Sequence, residues 1–249
     1  MARALLAALL ALAIAGASAK IHHSVVDTDD RHLVPLTDAF GFAQTGGKMD
    51  ITLRDIKLYR LQNQAEPEDY NWENFGFFLS RADADMALEQ ELADPSKCIL
   101  RDISNLFTFK DSSVQNVINK KADHFTVHFE VEDAGLFYLY FANCEVDTPV
   151  SFDSTIEMYN VDSHGHKDYL SVGDTSLDTV YFTMFGVFAA CTAAWATWVY
   201  RNKQHAHKVH YFMFALGCFK ALTLLSQALM MYYIEHTGSA DGWNFAYYV

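Results

Sequence analysis

Apolar positions in this chain form a short run at the start, a long stretch mixed with polar residues, and two long runs near the end. The first run, Leu5 to Ala15, follows Arg3 and closes with Ala17-Ser18-Ala19. A short apolar stretch ending in small residues at the −3 and −1 positions has the pattern of a cleavable signal peptide. A retained anchor is the alternative, but a spanning helix needs about 20 apolar residues, and this run is shorter and alanine-rich. The mature chain is expected to begin at Lys20 or Ile21.

The run Leu177 to Tyr200 carries Asp178 at its entry and no charge afterwards; His210 to Ile234 carries only Lys220. At about 1.5 Å rise per residue, each can cross a hydrocarbon core of about 30 Å. Between them stand Arg201, Lys203, His205, His207 and Lys208, with His210 just beyond and no acid. The positive-inside bias puts this loop in the cytosol, while the leader sends the N-terminal domain to the lumen. A further apolar run opens at Trp243 and continues to Val249. The expected organisation is a leader over 1–19, a lumenal domain over 20–176 and spanning helices over 177–200 and 210–234. A cytosolic loop fills 201–209, a lumenal loop 235–242, and a third helix, left incomplete, begins at 243–249.

The mixed stretch reads as β. From His124 to Glu132, Phe125, Val127, Phe129 and Val131 alternate with polar residues, the period of a strand with one buried face. Asp133-Ala134-Gly135 is a turn signal, and Leu136 to Ala142 is a more continuously apolar strand. The pair is expected to form a hairpin at the centre of a sheet. Further strands are expected at Phe40–Phe42, Met49–Leu61, Phe75–Leu79, Ile99–Ile103 and Val150–Tyr159, with a short helix or solvated loop over Asp83–Leu92. Short strands at this spacing indicate a β-sandwich or jelly roll.

Charge and cysteines sharpen the division. Residues 21–177 hold 28 acids and 12 basic residues, a net charge near −16, which repels nucleic acid and anionic membrane surfaces and reads first as a well-solvated domain, with an acidic docking surface as the alternative. Cys98 and Cys144 lie in the lumenal segment, where an oxidising compartment favours a disulfide. Cys191 and Cys218 fall in the spanning runs and read as small apolar filler.

Catalytic and metal chemistry finds little purchase. On a strand, His124 and His128 stand about 13 Å apart and cannot chelate one ion. His205, His207 and His210 read first as part of a basic interfacial loop, with metal binding or pH sensing as the alternative. Asp27-Thr28-Asp29-Asp30 lacks the glycine and distal glutamate of a calcium loop. No nucleophile elbow, zinc-helix motif, phosphate loop or glycosylation sequon occurs, so neither an enzyme nor a cofactor is expected. Lys220 stands out, because an ammonium in mid-membrane costs at least about 2.5–3.5 kcal/mol. It reads as a polar site inside a helical bundle, or as a snorkelling side chain.

Ile21-His22-His23, Arg31-His32, Phe40-Gly41-Phe42 and Cys98-Ile99-Leu100 form an ordered series with Gly135-Leu136-Phe137-Tyr138-Leu139-Tyr140-Phe141 running to Cys144. Tyr169-Leu170-Ser171-Val172-Gly173-Asp174, His210, Lys220 and Asp241-Gly242-Trp243 continue it. The series resembles the GOLD-domain seven-transmembrane proteins, also called lung seven-transmembrane receptors, in their Golgi orphan receptor-like branch. The resemblance implies a lumenal GOLD-type β-sandwich, a Cys98–Cys144 disulfide and a seven-helix bundle. The chain departs from the family in a shorter segment between Cys98 and the His124 strand, and in holding two complete apolar runs and the start of a third.

The leading expectation is a non-enzymatic, multi-pass Golgi membrane protein in vesicle trafficking, its GOLD domain binding protein cargo or trafficking partners. The alternative is G-protein-coupled signalling or ion conduction through the bundle, with Lys220 lining the interior. A third is a two-span cargo adaptor.

Overall fold

The computed structural model describes residues 21–59, 71–84, 98–102, 106–145, 148–162 and 164–239. They fall into two compact units, a β domain ending at Val172 and a helical unit from Gly173 onward. The expected leader at 1–19, most of the Asp83–Leu92 segment and the apolar run 243–249 lie outside the described residues.

The β domain is a sandwich of two antiparallel sheets. One holds β1 (Ile21–Asp29), β4 (Gly47–Leu58), β7 (His124–Val131) and β9 (Val150–Val161) in the order β1-β9-β4-β7, with β10 (Lys167–Asp168) also on β9. The other holds β2 (Leu33–Pro35), β3 (Phe40–Phe42), β5 (Phe75–Arg81), β6 (Phe107–Thr108) and β8 (Gly135–Asn143). Its order is β2-β8-β5-β6, with β3 on β8.

Alternation decides which face of each strand is dry. In β4, Met49, Ile51 and Leu53 are fully buried, while Lys48, Asp50 and Thr52 stand between them on the outer face. They meet their counterparts in register: Met49 lies opposite Met158 and Ile51 opposite Ile156 on β9. The second sheet supplies aromatic rings. Phe77 of β5 packs against Phe107, Phe141 and Phe152, with centroids 4.7, 5.2 and 5.7 Å away. Because Phe152 belongs to β9, these rings interlock the two sheets.

Two expectations need correction. β7 and β8 are not a hairpin: β7 pairs with β4 in one sheet and β8 with β2, β3 and β5 in the other. Asp133-Ala134-Gly135 carries the chain across the sandwich, with Gly135 at φ +153, a conformation other residues rarely adopt. The continuous apolarity of β8 has its own cause. Its inner face meets the main core, while Ala142 on its outer face joins a second cluster with Phe78, Ile99 and Leu100. Nor do residues 99–102 form a strand. They make one helical turn, α1 (Ile99–Asp102), which drops Ile99 and Leu100 onto that outer cluster.

Strands β1, β2, β6 and β10 and a short helix, α2 (Ser112–Ile118), were not expected. Asp111 starts α2 by accepting the Ser113 N–H at 2.8 Å, and the helix buries Val114 and Val117.

A buried asparagine seats the exit from the sandwich. Asn160 Oδ1 accepts the Ala43 N–H at 2.8 Å, and its amide donates to the Gly41 and Leu170 carbonyls at 3.1 and 3.3 Å. The Gly41 N–H donates to Ser171 Oγ at 2.9 Å, and the Val172 N–H returns to the Gly41 carbonyl at 3.1 Å. A Cβ at 41 would sit 2.6 Å from Ser171 Oγ and 3.1 Å from the Val172 nitrogen, so a larger residue there would displace this seat.

The helical unit comprises α3 (Leu177–Arg201) and α4 (Lys208–Thr237), of 25 and 30 residues, both long and apolar enough to cross a membrane. Both outrun the apolar runs that announced them, so the connection narrows to residues 202–207. Gly238, at φ +70, ends α4 by donating its N–H to the Ile234 carbonyl at 2.8 Å.

Candidate functional site

The helix pair is built outside-in. On α3, the less exposed residues Tyr181, Phe185, Ala189, Thr192, Trp195 and Val199 recur every three or four positions, which marks one face. On α4 the facing stripe runs through Gly217, Ala221, Leu224 and Ala228. Gly217 is the point of close approach: a Cβ there would meet Thr192 Oγ1 at 2.6 Å. Small residues at such a crossing let two spanning helices pack by dispersion, where no hydrophobic drive exists between them.

Hydroxyls along both helices bond back to their own backbone. Thr183 donates to Thr179 O at 2.8 Å, Thr223 to Phe219 O at 2.9 Å and Ser226 to Leu222 O at 3.1 Å. In hydrocarbon, every donor needs such an internal partner. Lys220 and Gln227 are different. Among the described residues neither makes a hydrogen bond or ion pair, and Lys220 is exposed on the outside of the pair. Seven residues apart, they share one face of α4, beside the stripe that meets α3.

The basic loop is spread over two helix ends. Arg201 closes α3, Lys203 and His205 occupy the connection, His207 precedes α4, and Lys208 begins it. His207 and His210 come together: the His207 N–H donates to His210 Nδ1 at 3.2 Å, and their rings lie 6.0 Å apart. His210 also stacks on Trp195 at 5.9 Å, and the Trp195 indole N–H donates to its carbonyl at 3.2 Å. His205 joins only through its backbone, to the Asn202 carbonyl. Trp195 is the residue that sequence reasoning missed here. Its position in the last two turns of α3, where amphipathic rings prefer the interface, was the available signal.

In the sandwich, the structure joins Cys98 to Cys144, with Cα atoms 5.3 Å apart, beside the outer cluster of Phe78 and Leu100. His124 and His128 share the outer face of β7 but serve separate partners. His128 Nδ1 lies 2.7 Å from Asp50 Oδ1 on β4, while His124 faces Arg54 in register.

Asp50 organises a patch that sequence reasoning did not find. Its second oxygen accepts the Tyr159 hydroxyl at 3.1 Å, and Lys167 stands 3.7 Å away, its ammonium 4.0 Å above the Tyr159 ring. Partial burial, then the Asp50 charge, hold the Tyr159 hydroxyl above its ordinary pKa. Burial pulls the other way on Lys167, but Tyr169, Tyr159 and Glu157 outweigh it and raise the ammonium. These residues come from four strands or loops, so only the strand register could have assembled them.

A disulfide-linked β-sandwich followed by apolar spanning helices defines a membrane protein of receptor-like organisation. Comparison with known proteins makes the class specific. The family model for the CAND6/7 N-terminal domain matches residues 23–160. Over 178 residues the chain is 30% identical to the protein of Arabidopsis thaliana named Candidate G-protein coupled receptor 6. That alignment takes in 70% of this chain and 40% of the relative, so the chain spans about two fifths of the relative's length. The chain belongs to the CAND6/7 family, within the GOLD-domain, lung seven-transmembrane receptor group.

Proposed function

We propose that this receptor-like membrane protein works in the Golgi and endomembrane system, in vesicle-mediated traffic, with its sandwich in the lumen binding cargo or partner proteins. In this reading 1–19 is a removed leader, 20–176 the lumenal domain, and 201–209 a cytosolic loop between spanning helices. The single observation that carries it is the asymmetry across α3 and α4. A cystine-linked, strongly acidic sandwich precedes the helices, and Arg201, Lys203 and Lys208 cluster at their connection. Its role is one of binding rather than catalysis.

The test is localisation of the full-length protein with proximity labelling from its N-terminal domain, against a control lacking the sandwich. Golgi residence, with cargo or coat-adaptor proteins labelled only when the sandwich is present, is the expected result. Cell-surface residence with unchanged labelling in the control overturns the reading.

A second reading rests on Lys220 and Gln227, which leave a polar face on α4 without a partner among the described residues. Together with the relative's name, this favours signalling through a larger helical bundle that those two side chains line. Lys220→Leu separates the two. Sorting that persists in a stable, correctly placed variant supports the trafficking role of the sandwich, and lost coupling to a G protein supports signalling.

A further inference from the structure

One pocket of the sandwich is basic although the domain around it is strongly acidic. It opens where the β4–β9 ladder slips: Arg54 lies opposite Asp153 and Lys57 opposite Ser151, so Asp55 and Ile56 share Phe152. Two residues against one make a β-bulge, which bends the strand and re-aims its side chains. Asp55 takes φ +50 there, and Lys120, just past α2, takes φ +55. Thr28 is the only other non-glycine residue in this conformation among those described, so two of the three flank one pocket. Such backbone is held only where its surroundings over-determine it, and it gathers at binding sites.

The pocket has a volume of about 390 Å³. Arg54, Lys57 and Lys120 line it, and none makes an ion pair among the described residues. Lys120 has a local reason to be basic, since a cation suits the C-terminal end of α2. Arg54 and Lys57 stand on a strand, Arg54 opposite Asp153, in a segment with 28 acids to 12 basic residues. Buried Ile56 and Val117 add apolar surface, and exposed Asp55 and Asp123 also line the pocket, leaving three cations to two carboxylates.

We propose that this pocket binds a phosphate or sulfate ester on a small hydroxylated body. The Arg54 guanidinium presents a planar fork to two oxygens of a tetrahedral anion, and Lys57 and Lys120 add point charges. Asp55 and Asp123 accept hydrogen bonds from hydroxyls, and Ile56 with Val117 covers a ring face. The volume is in the lower part of the roughly 300–1,000 Å³ range of small-molecule pockets and exceeds what a bare ion needs. A long acidic polypeptide fits poorly, because most of it would lie against a surface of net charge near −16. The site stands on the sandwich alone and does not rest on the trafficking reading.

The full chain in detergent micelles is titrated calorimetrically with glucose 6-phosphate and with glucose 6-sulfate, alongside glucose and hexaglutamate. Binding of either ester, weakened by raising salt to about 0.3 M, is expected and identifies the source of the anion. Arg54→Gln with Lys57→Gln lowers that affinity about tenfold or more. Lys120→Gln, outside the strand, lowers it severalfold and stands if the double variant fails to fold. Lys48→Gln, which removes a cation paired with Glu130 on the same sheet, leaves affinity unchanged. Four results each overturn the proposal: no binding of either ester at millimolar concentration, glucose binding as well as its esters, hexaglutamate outcompeting them, or full affinity in folded double and Lys120→Gln variants.

Discussion

In the sandwich, Phe77 and Phe141 are sealed between sheets, whereas on α4 Phe212 and Phe219 stand 69% and 67% exposed. The same residue type thus lies inside one unit and outside the other. Polar groups invert with it. On the sandwich they form cross-strand links on the wet face, such as Asp50 with His128 and Thr52 with Thr126. On the helices, hydroxyls fold back onto carbonyls of their own turn. Each unit is ordered for its own solvent: water drives apolar groups together in the first, and in the second only close packing and satisfied donors hold the helices.

The largest test of this contrast pairs two truncations. Phe77→Ala should cost about 3–5 kcal/mol of sandwich stability by denaturant melting, because four rings lose their neighbour. Phe212→Ala should leave helix content and thermal stability in micelles within error, and a comparable loss there would break the contrast. Next, Cys98→Ser with Cys144→Ser should cost the sandwich about 2–4 kcal/mol, since the bond closes a loop of sequence separation 46. The helices, which share no part of that bond, should keep their melting behaviour. Gly217→Leu should weaken the helix pair by about 1–3 kcal/mol through its clash with Thr192, read as lost crosslinking between cysteines introduced on the facing stripes. Undiminished crosslinking would mean that the close approach is not what holds the pair.

The smallest effect is one of pH. Backbone N–H groups of His166 and then His164 bond the Asp162 carboxylate and hold it below its usual pKa of 3.8. A group depressed on folding stabilises above its unfolded value and loses that contribution as pH falls through the folded one. The turn between β9 and β10 should therefore loosen only below about pH 4, seen as faster amide exchange at His164 and His166. Exchange at these amides that stays unchanged down to about pH 2 would show that the Asp162 carboxylate does not hold the turn.

What the residues foretold follows the same physics. Long apolar runs admit one structure in lipid, so α3 and α4 were legible to within a few residues. Strands β4, β7 and β9 announced themselves by alternation. Strand partners did not, because a turn signal such as Asp133-Ala134-Gly135 does not say whether the chain folds back or crosses over. Strand β1 was hidden because it packs on β9 at the sheet's edge and buries little beyond Val26. The pairing of Cys98 with Cys144 was legible because they are the two cysteines that lie outside the apolar runs. The Asp50 patch and the basic pocket were not, since register and a bulge bring distant residues together.

The buried seat of Asn160 bears on how the sandwich could be released from the cell's membranes by cutting. A protease must draw several residues of extended backbone into its cleft, and 169–171 are held by Asn160, Gly41 and the sheet beneath them. Exposed Gly173, Thr175 and Ser176 follow directly. Cleavage would fall there, and the freed fragment would carry its whole fold with it, ending in a terminus already tied down.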